Sequence, residues 1–307
     1  MSEPYGTPSA QCAIHADQRA QSICARCGNF MCNTCTEGGA HDSCPTCRDV
    51  TGAGAFPFDR NNYEISGVLG FAWGHFKREW VMLSVAMILY MVILVGVSMV
   101  STVLQAIGNQ IHPVAGYAFA VPGQVVQSLV QMVLTAGLGL VFWEVFRGRS
   151  VDVGTLFRPF SRFGTFVVAM LVQLGVALAM VTLIAVPAGI GYLIGEEEGA
   201  AVGAGIGVVL FIVPMLWVYL PLLFVPFEVV IGGETSGVQA VKNTFRLAEG
   251  NRLSILGYSI VGGLIGMVGM FACCVGVVPA VALGQMLLFG LYLALRNGSG
   301  LPPSQTL

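Results

Sequence analysis

Four pairs of soft donors, each spaced by two residues, crowd the first 47 positions: Cys12 with His15, Cys24 with Cys27, Cys32 with Cys35, and Cys44 with Cys47. Eight ligands of this kind complete two tetrahedral zinc shells, and a Cys-x-x-Cys turn lets both sulfurs reach one ion at about 2.3 Å. The segment has little else to fold around. From Gln11 to Val50 the large apolar side chains are Ile14, Ile23, Phe30, Met31 and Val50, too few for a core. Structural zinc supplies on the order of 10 kcal/mol of folding energy to such a segment. Gly28, directly after Cys27, stands where a knuckle of this type takes a positive φ.

Competing uses of the cysteines are less consistent with the spacing. Disulfides need an oxidising compartment, and the first 55 residues contain no apolar run resembling a secretion signal. The N-terminus is therefore expected in the cytoplasm, where thiols stay reduced. A redox Cys-x-x-Cys needs one pair, not four. Catalytic zinc needs an open coordination position, and eight donors for two ions leave none.

The run from Cys12 to Cys35, with gaps of eight and four residues between its pairs, resembles a B-box zinc finger. That resemblance implies a cross-braced pair of sites. Cys12, His15, Cys32 and Cys35 would hold the first zinc, and Cys24 with Cys27 would begin the second. The family usually completes the second site with two histidines. Here Cys44 and Cys47 are the expected ligands, with His41 as the alternate, and a sequential pairing of neighbouring motifs stays open.

Beyond the module the chain changes character. Hydrophobic residues make up 55% of the sequence and charged residues 10%, with a mean hydropathy of +0.78, against about 25% charged in a soluble domain. The net charge of -2 gives no reason to expect nucleic acid. Six apolar runs approach the ~20 residues that cross a bilayer: 80–105, 121–146, 163–194, 200–227, 253–272 and 277–295. The expected organisation is a disordered start (1–10), the double zinc module (11–49), a linker (50–62), a six-span membrane domain (63–297) and a disordered tail (298–307). The fold class is a mostly α membrane protein with interfacial amphipathic helices.

All 14 basic residues lie in the module, before the first span, between spans two and three, between four and five, or after six; the other three connections hold none. The positive-inside rule then places both termini in the cytoplasm of a bacterial inner membrane. Stretches 66–89, 152–174 and 236–261 echo one another: a small turn, a basic amphipathic segment, then a span. Three helix-plus-hairpin units are expected, their amphipathic segments facing anionic lipid. The segment 227–257 is similar to Yip-like bacterial membrane domains and to the membrane portion attached to some glycerophosphodiester phosphodiesterases.

Glu144 and Glu228 sit near the ends of spans two and four. An intramembrane carboxylate is a candidate for function, though near the interface Arg147 or Lys242 would partner them cheaply. Glycines at 191, 195, 199, 203 and 207, and at 262 and 266, imply tight hairpins or self-association. No nucleophile–base pair, phosphate loop or dinucleotide fingerprint occurs, so no enzymatic activity is expected. The reading is recruitment of a cytosolic protein by the zinc module, with membrane lipids as the other partner and a homo-oligomer possible. A zinc-regulated transporter or channel, or a membrane-organising protein, is the alternative.

Overall fold

Three antiparallel helix pairs build the larger part of the computed structural model, and glycine is what lets the arms of each pair touch. The structure describes residues 10–24, 27–36, 44–47, 56–147, 151–233, 236–271, 273–297, 299 and 301. Its contacts divide the chain into two units, 1–57 and 58–307.

In the second unit, helices α1 (Ile65–Ile111) and α2 (Pro113–Phe146) form the first pair. A 3-10 segment (Val153–Arg162) leads into α3 (Phe163–Leu222), and the short α4 (Val225–Ile231) follows. An amphipathic helix α5 (Gly237–Ala248) then precedes the last pair, α6 (Arg252–Phe271) and α7 (Cys273–Arg296). Six stretches are long and apolar enough to cross a bilayer, beginning at Ile65, Ala118, Val153, Pro214, Arg252 and Gly276. The chain is a multi-pass membrane protein.

α3 is helical over 60 residues, yet it doubles back on itself. A Cβ on Gly199 would land on the carbonyl of Gly191, one on Gly203 on that of Pro187, and one on Gly207 would lie 2.7 Å from the Cα of Ile184. Residues this far apart in a straight helix are separated by 12 Å or more at about 1.5 Å per residue, so the chain reverses between them. The glycines bring the two arms into backbone contact, the tight hairpin anticipated from their spacing. In the last pair Gly284 and Gly262 meet in the same way, a Cβ on Gly284 lying 2.8 Å from the Gly262 carbonyl. The second arm of α3 stops at Leu222, and Pro226 restarts the chain in the first turn of α4, where its missing N–H leaves no hydrogen bond unmade.

The amphipathic leads take three forms. The first is continuous with α1 up to a break at Glu79 (φ -120°, ψ 16°). The second is the 3-10 segment, capped by Asp152, whose side chain accepts from the Gly154 amide at 2.9 Å. The third is α5, which buries Gly237, Ala240, Val241, Thr244, Leu247 and Ala248 and exposes Val238, Lys242 and Arg246, a three-and-four spacing that defines one apolar face.

Polar ties gather at the end of the bundle that holds these leads. Arg60 donates to the Glu249 carbonyl at 2.6 Å, Tyr63 to the Asn251 side chain at 2.6 Å, and Arg162 to the Val229 carbonyl at 3.0 Å. Burial follows them. Residues 129–146 of α2 and 282–296 of α7 are largely buried, while at the opposite tips Ile111, Leu193 and Phe271 are 74%, 85% and 90% exposed.

Candidate metal centre

The N-terminal unit is organised by a two-residue hairpin: β1 (Ser22–Ile23) pairs antiparallel with β2 (Phe30–Met31), placing Ser22 opposite Met31 and Ile23 opposite Phe30. Cys24 and Cys27 occupy the turn at its tip. Gly28 takes φ 74° there, as its place after Cys27 implied. The turn is closed by the Gly28 amide on the Cys24 carbonyl at 2.9 Å and the Cys24 amide on the Asn29 carbonyl at 2.8 Å. β2 runs directly into Cys32, whose carbonyl accepts the Thr36 amide at 3.1 Å and so shapes the second knuckle. The loop carrying Cys12 and His15 is tied back by a bridge between Gln11 and Arg19. The Ala13 amide then fastens it to the Phe30 carbonyl at 3.0 Å.

These ties bring alternate pairs together. Cys12, His15, Cys32 and Cys35 form one cluster, and Cys24, Cys27, Cys44 and Cys47 the other, with the donor atoms of each within 4.8 Å of one another. The pairing is thus the cross-braced one, not the sequential one. His41 lies outside the described residues.

The distances fit a metal shell. Cys12 and Cys35 sulfurs lie 3.5 Å apart, Cys27 and Cys44 sulfurs 3.6 Å, and His15 Nδ1 lies 3.4 Å from Cys32 and 3.3 Å from Cys35. Bonds of about 2.0 to 2.3 Å to a tetrahedral ion give edges of roughly 3.5 to 3.8 Å; a disulfide would bring sulfurs to about 2.05 Å. Backbone amides also point at sulfur: Cys44 N–H donates to Cys24 Sγ at 3.1 Å, and Cys47 N–H to Cys44 Sγ at 3.4 Å. Such donors favour thiolate over thiol and orient it. Each cluster could hold one metal ion.

Without a cation, the thiols oppose one another. Burial, reinforced by the neighbouring thiols of Cys12 and Cys32, pushes Cys35 up to about 12. Hydrogen bonding with Cys27, followed by burial, pushes Cys47 up to about 12. At Cys12 burial acts upward too, but backbone hydrogen bonds at His15, Ile14 and Cys32 outweigh it and bring the thiol down to about 6. Hydrogen bonds to Cys12 and Cys32 raise His15. Cys12 and Cys32 are thus held below the usual thiol range while Cys35, Cys44 and Cys47 are pushed above it, a conflict that a divalent cation at each centre would remove.

Among the described residues of 10–47, Met31 is the one large apolar side chain that is buried, packed among Cys12, Cys24, Cys32, Cys35 and Cys44. Ile14, Ile23 and Phe30 are exposed. Directly opposite residues of a strand pair share one face. Ile23 and Phe30 therefore form the outer face of the hairpin, while Met31 turns inward to the donors.

The two candidate carboxylates of the membrane spans, Glu144 and Glu228, are both partnered, and not by the residues expected. Glu228, fully buried, forms an ion pair with Arg296, accepts the Tyr292 hydroxyl at 2.7 Å and accepts Asn243 Nδ2 at 3.0 Å. Lys242 is excluded because the α5 periodicity turns it outward and its neighbour Asn243 inward. Glu144 meets Arg158 at 3.3 Å and the Thr155 hydroxyl at 3.3 Å. Arg147 instead lies over the Trp143 ring at 4.4 Å. Sequence reasoning missed Tyr292, Arg296 and Asn243. The available signal was a tyrosine and an arginine one helical turn apart at the end of an apolar span.

Residues 64–294 match the model of a family described as a domain of unknown function, DUF7847. No curated protein and no solved structure matches the chain. The matched stretch includes Glu144 and Glu228 and starts beyond the cysteine clusters.

Proposed function

The chain belongs to the DUF7847 family, and from that premise we propose that it is a membrane-anchored recruitment protein. Two structural zinc ions fold the N-terminal module on the cytoplasmic side of a bacterial inner membrane, and the module presents its hairpin to a cytosolic protein. The observation that carries this reading is the division of apolar side chains in the module: Met31 faces the donors, while Ile14, Ile23 and Phe30 face out. Exposed apolar contacts on a small, metal-stiffened frame suit a binding surface, since little conformational freedom remains to be lost on docking. Eight donors for two ions leave zinc no open position for chemistry, so the module binds and does not catalyse. The cytoplasmic placement rests on the one-sided distribution of Lys and Arg.

The test is a photo-crosslinking amino acid placed at Phe30 in the full-length chain in living cells. A discrete protein adduct that forms from position 30, fails from exposed Thr34 and disappears in Cys24→Ser supports recruitment. Labelling of lipid alone, or the same adduct after the metal site is destroyed, overturns it.

A further inference from the structure

A cavity of about 450 Å³ opens between the second arm of α3 and the start of α6, lined by Leu216, Trp217, Leu220, Arg252, Leu253 and Leu256. Among the described residues its walls are leucine, indole and Gly250, and Arg252 is its single charge. The Arg252 guanidinium lies over the Trp217 ring at 3.9 Å. Its Nε is buried and has no hydrogen-bond partner, and among the described residues Arg252 makes no ion pair. Stacking on a ring occupies the face of a guanidinium and leaves its in-plane N–H donors free. A buried donor left unmade costs free energy unless a ligand meets it.

The surroundings say what that ligand is. Both walls belong to stretches long and apolar enough to span the bilayer. Leu256 lies one turn into α6 from Arg252, Leu216 and Leu220 bracket Trp217 on the α3 arm, and Leu253 is wide open to the outside. Among the described residues no carboxylate lines the cavity, so nothing in that lining would hold a cationic headgroup. The start of α6 adds amide N–H groups that have no acceptor inside the helix. An anion at one end and hydrocarbon along the other is the polarity of a phospholipid.

We propose that this groove binds one anionic phospholipid, its phosphate held by Arg252 beside the start of α6 and an acyl chain lying along Leu216, Leu220 and Leu256. The site is independent of the metal module and of the recruitment reading.

The test uses the full-length protein purified in a neutral detergent and titrated with phosphatidylglycerol carrying brominated chains, which quench a tryptophan in contact. Quenching should saturate, and the saturable part should vanish in Trp217→Phe. Arg252→Gln should weaken it about five- to tenfold, whereas Arg246→Gln should leave it unchanged. Brominated phosphatidylcholine should bind more weakly than phosphatidylglycerol, and glycerol phosphate at matched concentration should not compete. Equal binding by Arg252→Gln, equal binding of the two lipids, or competition by glycerol phosphate overturns the proposal. Should Arg252→Gln fail to purify as a single species, Leu220→Trp decides. Filling the groove must reduce phosphatidylglycerol retention in native mass spectrometry, and unchanged retention overturns the assignment.

Discussion

The metal module and the helical bundle hold their shapes by opposite means. Among the described residues of the module the cysteines themselves make up most of the buried side chains, Met31 is the one conventional apolar residue inside, and two bulky apolar side chains on its hairpin face outward. In the bundle, arms meet through glycine at positions such as 203, 207 and 284, and one end is locked by Glu228 and Arg296. The first is arranged around two donor clusters that could each hold a metal ion; the second depends on backbone proximity and on a charge matched within it. The comparison teaches that one chain can carry two units that respond to separate perturbations.

The largest separation between them should come from metal removal. A strong chelator, or Cys32→Ser, should abolish amide-exchange protection in 10–47 while the bundle melts unchanged. Elemental analysis should fall from about two zinc ions per chain to about one or none. The same loss should follow acidification, because zinc binds thiolate and neutral imidazole, so protons compete and occupancy falls as pH falls. A bundle that melts earlier after chelation would break the comparison.

Next in size is Glu228→Ala. It strands the buried Arg296 charge, a loss of about 3 to 5 kcal/mol where a buried pair is broken by removing one partner. The unfolding midpoint in detergent should drop sharply while the zinc content stays at the wild-type value. The smallest effect belongs to Glu144→Ala. Its partner Arg158 is 49% exposed, and a solvated pair of that kind contributes under about 1 kcal/mol. Similar losses at the two carboxylates would show that burial does not distinguish them.

The spans, the three-unit plan and the four donor pairs were all visible in the sequence for one reason. Each is written in a periodic or paired pattern of residue types. Cys-x-x-Cys turns, twenty-residue apolar runs and glycines four apart leave traces that survive without coordinates. The choice between cross-braced and sequential grouping of the donor pairs, by contrast, waited for the hairpin that brings alternate pairs together. The partners of Glu144 and Glu228 left no such trace either. Arg296 stands 68 positions from Glu228 and Arg158 stands 14 from Glu144, while Arg147 and Lys242 are nearer in the chain and equally charged. The choice among them depended on which side of a helix each residue occupies once its neighbours are packed. The outward turn of Lys242 and the docking of Arg147 on Trp143 are results of packing, not of composition.

The distance between Glu228 and Arg296 also has a bearing on how the protein is made. A ribosome adds about 5 to 20 residues per second, so seconds pass between the appearance of the acid and that of its counter-ion. During that interval the fourth crossing carries a carboxylate that costs several kcal/mol to leave unmatched in hydrocarbon. Insertion of the fourth crossing is therefore provisional until the sixth has been delivered, and the last helix acts as the latch on an earlier one.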